Sequence, residues 1–121
     1  MQDFRKLRVW QSNREQTVAV YKATSRFPRD ERFGLTAQAR SAVVSIGANI
    51  AEGCGRGSRA DTLRFLQIAM GSSVELLHHL ITAGDLGFLP PEEFRSLDSA
   101  NESVRRMLVR LMSRLREADR S

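Results

Sequence analysis

Apolar residues recur every three or four positions through almost the whole chain, and only three short breaks interrupt this pattern. The breaks are residues 27–30, 53–58 and 87–91, which hold all three prolines and four of the eight glycines. Proline blocks a continuing helix, and closely spaced glycines make a poor helix interior. The spacing therefore predicts four helices, at about residues 5–26, 31–52, 59–86 and 91–117, with Asp30 and Ser58 as N-terminal caps.

The predicted core stripes run along one side of the first and last helices. In the first helix the stripe is Phe4, Leu7, Trp10, Val18, Tyr21 and Ser25. In the last helix it is Phe94, Leu97, Asn101, Val104, Leu108, Leu111 and Leu115. Short connections make consecutive helices antiparallel, and 121 residues suit one domain. We therefore expect an all-α protein, a single up-down-up-down four-helix bundle over residues 1–121.

The second and third helices carry more apolar residues than one bundle seam needs. The second is dominated by small residues, which let a neighbouring backbone approach closely, and the third is apolar on more than one face. We interpret the excess as a subunit interface and expect a homo-oligomer. The alternative is a wide core within one chain.

Positive charge is the strongest compositional signal. The net charge is +5, and seventeen of the nineteen basic residues are arginine, the side chain that binds phosphate bidentately. Arg106, Arg110 and Arg114 fall at four-residue steps on one helix face, while other arginines flank the glycine-rich break. The candidate nucleic-acid contacts are Arg40, Arg56, Arg59, Arg106, Arg110 and Arg114, supported by the basic N-terminal residues Arg5, Lys6 and Arg8. The alternative is a solvated charged surface without a ligand.

No catalytic, cofactor or metal constellation can be assembled from the sequence. A di-iron centre needs two Glu-x-x-His steps, and only the one from Glu75 to His78 exists, so a Glu75–His79 pair is expected instead. Cys54 is expected in a mobile glycine loop that cannot hold a nucleophile. The loop also lacks the Gly-Lys-Ser/Thr ending of a P-loop. We expect a non-enzymatic protein with no cofactor and no metal.

The compartment is expected to be the cytoplasm. The chain has one cysteine, no apolar stretch long enough to cross a membrane and no apolar N-terminal run typical of a signal peptide.

Motifs in four parts of the sequence resemble one protein family. They are Phe4-x-x-Leu7-x-Val9-Trp10-Gln11, Phe27-Pro28-x-x-Glu31-x-Phe33-Gly34-Leu35-x-x-Gln38, Ser45-Ile46-x-x-Asn49-Ile50-Ala51-Glu52-Gly53, and Phe65-Leu66-x-Ile68-Ala69-x-Gly71-Ser72-x-x-Glu75-Leu76. In this order they resemble the bacterial 23S rRNA-intervening-sequence proteins. Gly47 stands where that family commonly has proline, and Ala39 where a bulkier residue is usual.

The resemblance implies a small helical bundle that assembles as a ring-shaped homopentamer. The family is also similar to the accessory variability determinant proteins of diversity-generating retroelements, which are basic pentamers that bind a reverse transcriptase and nucleic acid. We therefore expect an RNA-binding or ribonucleoprotein accessory protein. The alternative is an adaptor ring that binds a protein partner such as a reverse transcriptase, with no direct nucleic-acid role.

Overall fold

Four α-helices make up the protein in a computed structural model that describes residues 3–120, with side chains for residues 3–118. They are α1 (Arg8–Thr24), α2 (Leu35–Cys54), α3 (Arg59–Asp85) and α4 (Pro91–Arg120), with short 3₁₀ turns at Phe4–Lys6 and Arg29–Glu31. The described residues contain no strand. The all-α prediction is confirmed. Within the described chain, no helix is long and apolar enough to span a membrane.

The helices pack in a square arrangement, with α1 and α3 each against both α2 and α4. At one end of the bundle the start of α1 lies beside the last part of α4, and Gly53 of α2 lies against Phe65 of α3. At the other end the rings of Phe27 and Phe88 contact each other at 5.8 Å. This is the arrangement of a four-helix bundle, in which α1 and α3 begin, and α2 and α4 finish, at the same end.

The predicted core stripe is confirmed for α4, but for the first helix it is confirmed only at its start, where Leu7 is buried and Phe4 and Trp10 pack against the core. In α4 the central members of the stripe, from Leu97 to Leu111, are buried. In α1 the buried residues include Val9, Asn13, Gln16 and Val20, whereas Val18 and Tyr21 of the predicted stripe are exposed.

Two polar side chains account for the error in α1. Asn13 Nδ2 donates a hydrogen bond to the Val43 carbonyl at 3.1 Å, and Gln16 Nε2 donates one to Asn13 Oδ1 at 2.9 Å. Both ends of the Asn13 amide are therefore hydrogen-bonded in the core, whereas Gln16 Oε1 is buried without a hydrogen-bond partner among the described residues. A pattern based on apolar residues alone misses such a face.

Small residues bring α2 close to its neighbours, as expected. A Cβ atom on Gly53 would lie 3.1 Å from Phe65 Cβ and 3.3 Å from the Thr62 carbonyl oxygen. Farther along the same contact, the hydroxyls of Ser45 and Ser72 are 2.9 Å apart. The α2–α3 pair therefore packs through near-backbone contact at the end where the two helices are joined.

The first two helices begin later than predicted. Residues before Arg8 form a 3₁₀ turn, so α1 does not start at residue 5. The start of α2 moves from residue 31 to Leu35, where the Leu35 backbone N–H donates to Glu31 Oε1 at 3.1 Å. The N-terminal bond comes from Glu31, so the prediction of Asp30 as the cap is wrong. A Cβ on Gly34 would lie 2.9 Å from that oxygen, which favours glycine there.

The predicted cap at the start of α3, the glycine that follows its end and the start of α4 are confirmed. Ser58 Oγ accepts from the Asp61 backbone N–H at 3.2 Å at the start of α3. Past the end of α3, Gly87 has φ +79°, and the Phe88 N–H donates to the Ala83 carbonyl at 2.9 Å. The Gly87 N–H also donates to the Gly84 carbonyl at 3.1 Å, which completes a Schellman motif before Pro91 starts α4.

The loop assigned to Cys54 is a second correction. Helix α2 continues through Gly53 and ends at Cys54, whose side chain is buried. Burial raises the pKa of the Cys54 thiol. Since the thiolate is the reactive form, this position is less nucleophilic than an exposed thiol, although the reason differs from the mobility that was expected.

Candidate nucleic-acid interface

The two ends of the bundle differ in charge. The basic end, defined here as residues 3–14, 48–66 and 106–118, carries eleven lysines and arginines but four acidic residues. The neutral end, residues 19–40 and 78–98, carries six of each. Because the bundle brings these segments together from different helices, an asymmetry spread along the sequence becomes one strongly positive end.

Arg40 is separated from the other candidate residues. Its Nε donates to Thr24 Oγ1 at 2.9 Å, and its Nη2 donates to the Tyr21 carbonyl at 3.3 Å. The guanidinium also lies 4.5 Å from the centre of the Tyr21 ring. Arg40 therefore binds the last turn of α1, where a cation also favours the negative end of the helix dipole. It lies about 20 Å along α2 from Cys54, the last residue of that helix, at 1.5 Å per residue.

Two more candidates form ion pairs within their own segments. Arg56 Nη2 lies 2.9 Å from Glu52 Oε1, and Arg106 Nη2 lies 2.7 Å from Glu102 Oε1. Both pairs are exposed and span four residues, a geometry that adds only a few tenths of a kcal/mol to stability. These arginines can still reach a phosphate, but each must share its charge with a carboxylate.

The remaining helix-four arginines lie at a cleft between α1 and α4. The cleft has a volume of about 150 Å³. Its apolar lining comes from Leu7, Val9, Met107 and Leu111, and its polar lining from Arg8, Arg110 and Arg114. We call it the arginine cleft. Among the described carboxylates, none forms an ion pair with these three arginines.

A second cleft of about 330 Å³ lies where α2 joins α3. It is lined by residues 56–59 together with Thr62 and by Leu115 of α4. Beside it, the guanidinium groups of Arg56 and Arg64 lie 4.6 and 4.5 Å from the centre of the Phe65 ring. Leu115 lines this cleft and Arg114 lines the arginine cleft. Because they are consecutive residues of α4, the last part of that helix separates the two clefts.

The tryptophan and the tyrosine are not displayed for stacking on bases at the basic end. Trp10 is half-buried and packs edge-on against Phe4, with ring centroids 5.1 Å apart. Tyr21 is exposed, which corrects its predicted burial, but it lies at the neutral end under Arg40. The geometry therefore suits contacts to phosphate more than to base faces.

One histidine of α3 pairs with an acidic residue one turn before it. His79 Nε2 lies 3.2 Å from Glu75 Oε2, as expected. In the part of the chain with described side chains, no three His, Cys, Asp or Glu residues come together as a metal site would require.

Arg8 is the site residue that the sequence analysis undervalued. It was grouped with the general N-terminal charge, yet the structure brings it to the same cleft as Arg110 and Arg114. The signal was available: in an up-down-up-down bundle the first turn of α1 must lie at the same end as the last turns of α4.

Comparisons with known proteins identify a family. No curated protein sequence is similar to this chain. A crystal structure of a protein of unknown function from the S23 ribosomal protein family, from Bacteroides thetaiotaomicron VPI-5482, has the same fold with a TM-score of 0.78. The two are 24% identical over 86% of this chain and 97% of the other. The sequence profile of 23S rRNA-intervening sequence proteins matches residues 5–110, so this chain belongs to that family.

Proposed function

We propose that this protein is a non-enzymatic, cytoplasmic RNA-binding or ribonucleoprotein accessory protein whose basic end contacts the phosphate backbone. The observation that carries the proposal is the charge difference between eleven cations and four acids at one end and equal numbers at the other. Such a field attracts polyanions from any direction and needs no base-specific contact.

The candidate residues fall into three groups under this proposal. Arg110 and Arg114, with Arg8, supply the strongest contacts because none is paired to a described carboxylate. Arg56, Arg59 and Arg106 extend the surface on both sides of α4. Arg40 is assigned a structural role by its bonds to α1 and is expected to contribute little to binding.

Salt-dependent binding tests this function. Purified, nuclease-treated protein is titrated against a labelled structured RNA and a matched DNA duplex between about 50 and 200 mM salt, with fluorescence anisotropy as the readout. We expect tight binding at low salt and a steep negative slope. The triple variant R106Q/R110Q/R114Q should reduce the slope by about 2, since each lost phosphate contact removes roughly 0.7 to 0.9.

The control removes the same charge from the other end. In K22Q/R29Q/R95Q three exposed cations of the neutral end are replaced, so the net charge falls equally. If this control weakened binding as much as R106Q/R110Q/R114Q, a general charge effect would replace the proposed site. Absence of binding by the wild-type protein at low salt would reject the function.

A second candidate function, an adaptor that self-associates and binds a protein partner such as a reverse transcriptase, is favoured by exposed apolar residues. On α2 and α3 these are Val44 at 46%, Ile68 at 42%, Val74 at 53% and Ile81 at 45% exposure. Exposed apolar residues mark an interaction site where they are contiguous, and Val74 and Ile81, seven residues apart, share one face of α3. The family resemblance implies a ring of five subunits.

Light scattering tests the assembly. We expect a mass several times that of one chain, and V44E should reduce it, because a charge in an apolar interface is costly. The exposed residue Ser103 on α4 provides a control, because S103E adds the same charge on a helix that carries none of these four apolar residues. A wild-type mass equal to one chain would exclude the oligomer.

A further inference from the structure

The arginine cleft concentrates positive charge that the fold itself does not neutralise. Arg8 comes from the first turn of α1, whereas Arg110 and Arg114 come from successive turns of α4. Three like charges around one small cleft repel one another, and no described carboxylate pairs with any of them. Glu117 lies three residues beyond Arg114 and forms no ion pair with it. The positive charge of the cleft is therefore available to bind an anion.

The backbone at the start of α1 also favours an anion in the cleft. Helix α1 begins after Leu7 without a side-chain cap, and residues 7–9, which line the cleft, are the cap and the first two residues of the helix. The first N–H groups of a helix have no partner within it and favour an anion. This contribution is secondary, since the three guanidinium groups define the site.

The size and lining of the cleft limit the ligand. A volume of about 150 Å³ is sufficient for one tetrahedral oxyanion, and the lining combines three arginines with the apolar side chains of Leu7, Val9, Met107 and Leu111. A phosphodiester within a strand continues in two directions, whereas a terminal phosphate monoester has one substituent and carries about −1.5 to −2 rather than −1. Three arginines that pair with no described carboxylate favour the monoester, because it carries the higher negative charge.

We propose that the arginine cleft binds a terminal phosphate monoester, and that on nucleic acid it selects the 5′-phosphorylated end of a strand. This inference rests on the proposed function and makes it more specific. The strand would extend from the cleft across the last turns of α4 toward Arg56 and Arg59, which line the neighbouring cleft. A site for strand ends would explain why the three arginines that pair with no described carboxylate line one small cleft and not an open groove.

The experiment compares two short single-stranded RNAs of the same sequence, one with a 5′-phosphate and one with a 5′-hydroxyl, both labelled at the 3′ end. Anisotropy titrations use the full chain, the cleft variant R8Q/R110Q/R114Q, the single variant R8Q and the control K22Q/R29Q/R95Q. We expect the wild type and the control to prefer the 5′-phosphate by about tenfold, the scale of charge-assisted hydrogen bonds. R8Q should reduce the preference and the cleft variant should abolish it.

Inorganic phosphate serves as the competitor. If the site recognises the monoester itself, millimolar phosphate should lower the affinity for the 5′-phosphorylated RNA to that for the 5′-hydroxyl RNA. Equal, salt-dependent binding of both RNAs by the wild type would overturn this inference and leave the proposed function standing. A preference that persists in the folded cleft variant would place the site elsewhere. Failure of both RNAs to bind would overturn the inference and the proposed function together.

Discussion

The two ends of the bundle differ in where their ion pairs lie. At the neutral end, Phe27 packs on Phe88 and Arg26 forms an ion pair with Glu93 of α4. At the basic end the ion pairs, such as Glu52–Arg56 and Asp61–Arg64, span three or four residues of one segment. The Arg26–Glu93 pair joins two elements of the neutral end and so supports the fold, while Arg8, Arg110 and Arg114 at the basic end pair with no described carboxylate and can bind a ligand.

The largest expected effect lies in the packing of the neutral end. Phe27 is 8% exposed and its ring contacts Phe88, so F27A should lower the free energy of unfolding by about 3 to 5 kcal/mol. Urea denaturation followed by circular dichroism measures it. Phe33, which is 83% exposed, is the matched control, and F33A should change stability by less than about 0.5 kcal/mol. Equal effects would mean that the aromatic contact does not hold this end.

The turn between α3 and α4 should give the next largest effect. Gly87 has φ +79°, which costs a residue with a Cβ about 1 to 2 kcal/mol, so G87A should destabilise the protein by that amount. Gly57 at the basic end has open space around its Cβ position, and its φ is not positive. G57A in the same thermal melt should be neutral or slightly stabilising. A harmless G87A would remove the Schellman motif as a determinant of this end.

Charge removal should act in opposite ways on stability and on binding. R8Q/R110Q/R114Q relieves repulsion at the arginine cleft and should raise stability at low salt by up to about 1 kcal/mol. The gain should disappear near 1 M salt, where the screening length falls to about 3 Å. The control K22Q/R29Q/R95Q should show no such gain. A destabilised cleft variant would mean that these arginines support the fold.

The smallest expected effect concerns the buried thiol of Cys54. Its raised pKa leaves less thiolate at any given pH, so a thiol reagent should react more slowly with the folded chain than with the urea-unfolded chain at pH 8. Since burial favours the neutral form, the reaction should accelerate as the pH rises toward the folded-state pKa. Equal rates at pH 8 would mean that the end of α2 opens readily.

Much of the fold follows from local signals in the sequence. The Ser58 cap, the glycine after α3 and the unbroken stripe of α4 each depend on a few neighbouring residues, and the structure has all three. The face of α1 does not follow from such signals, because Asn13 and Gln16 become core residues only when Val43 and one another are in reach. The start of α2 similarly depends on how Glu31 folds back over Gly34.

The candidate interface was only partly predictable for the same reason. The four-residue steps of Arg106, Arg110 and Arg114 are visible in the sequence, as are the acidic residues four positions before Arg56 and Arg106. The inclusion of Arg8 and the separation of Arg40 depend on which helices meet at each end. Local spacing identifies which arginines share a helix face, while the topology decides which ones act together.

Hydrogen exchange in the presence and absence of a 5′-phosphorylated RNA tests the central claim most directly, because it locates the contact on the chain. With the RNA bound, we expect slower exchange of the backbone amides in peptides covering residues 5–14, 53–62 and 107–117. We expect no change in peptides covering residues 26–34 and 84–95. Protection confined to the neutral end, or spread equally over both ends, would contradict the assignment of the basic end as the nucleic-acid interface.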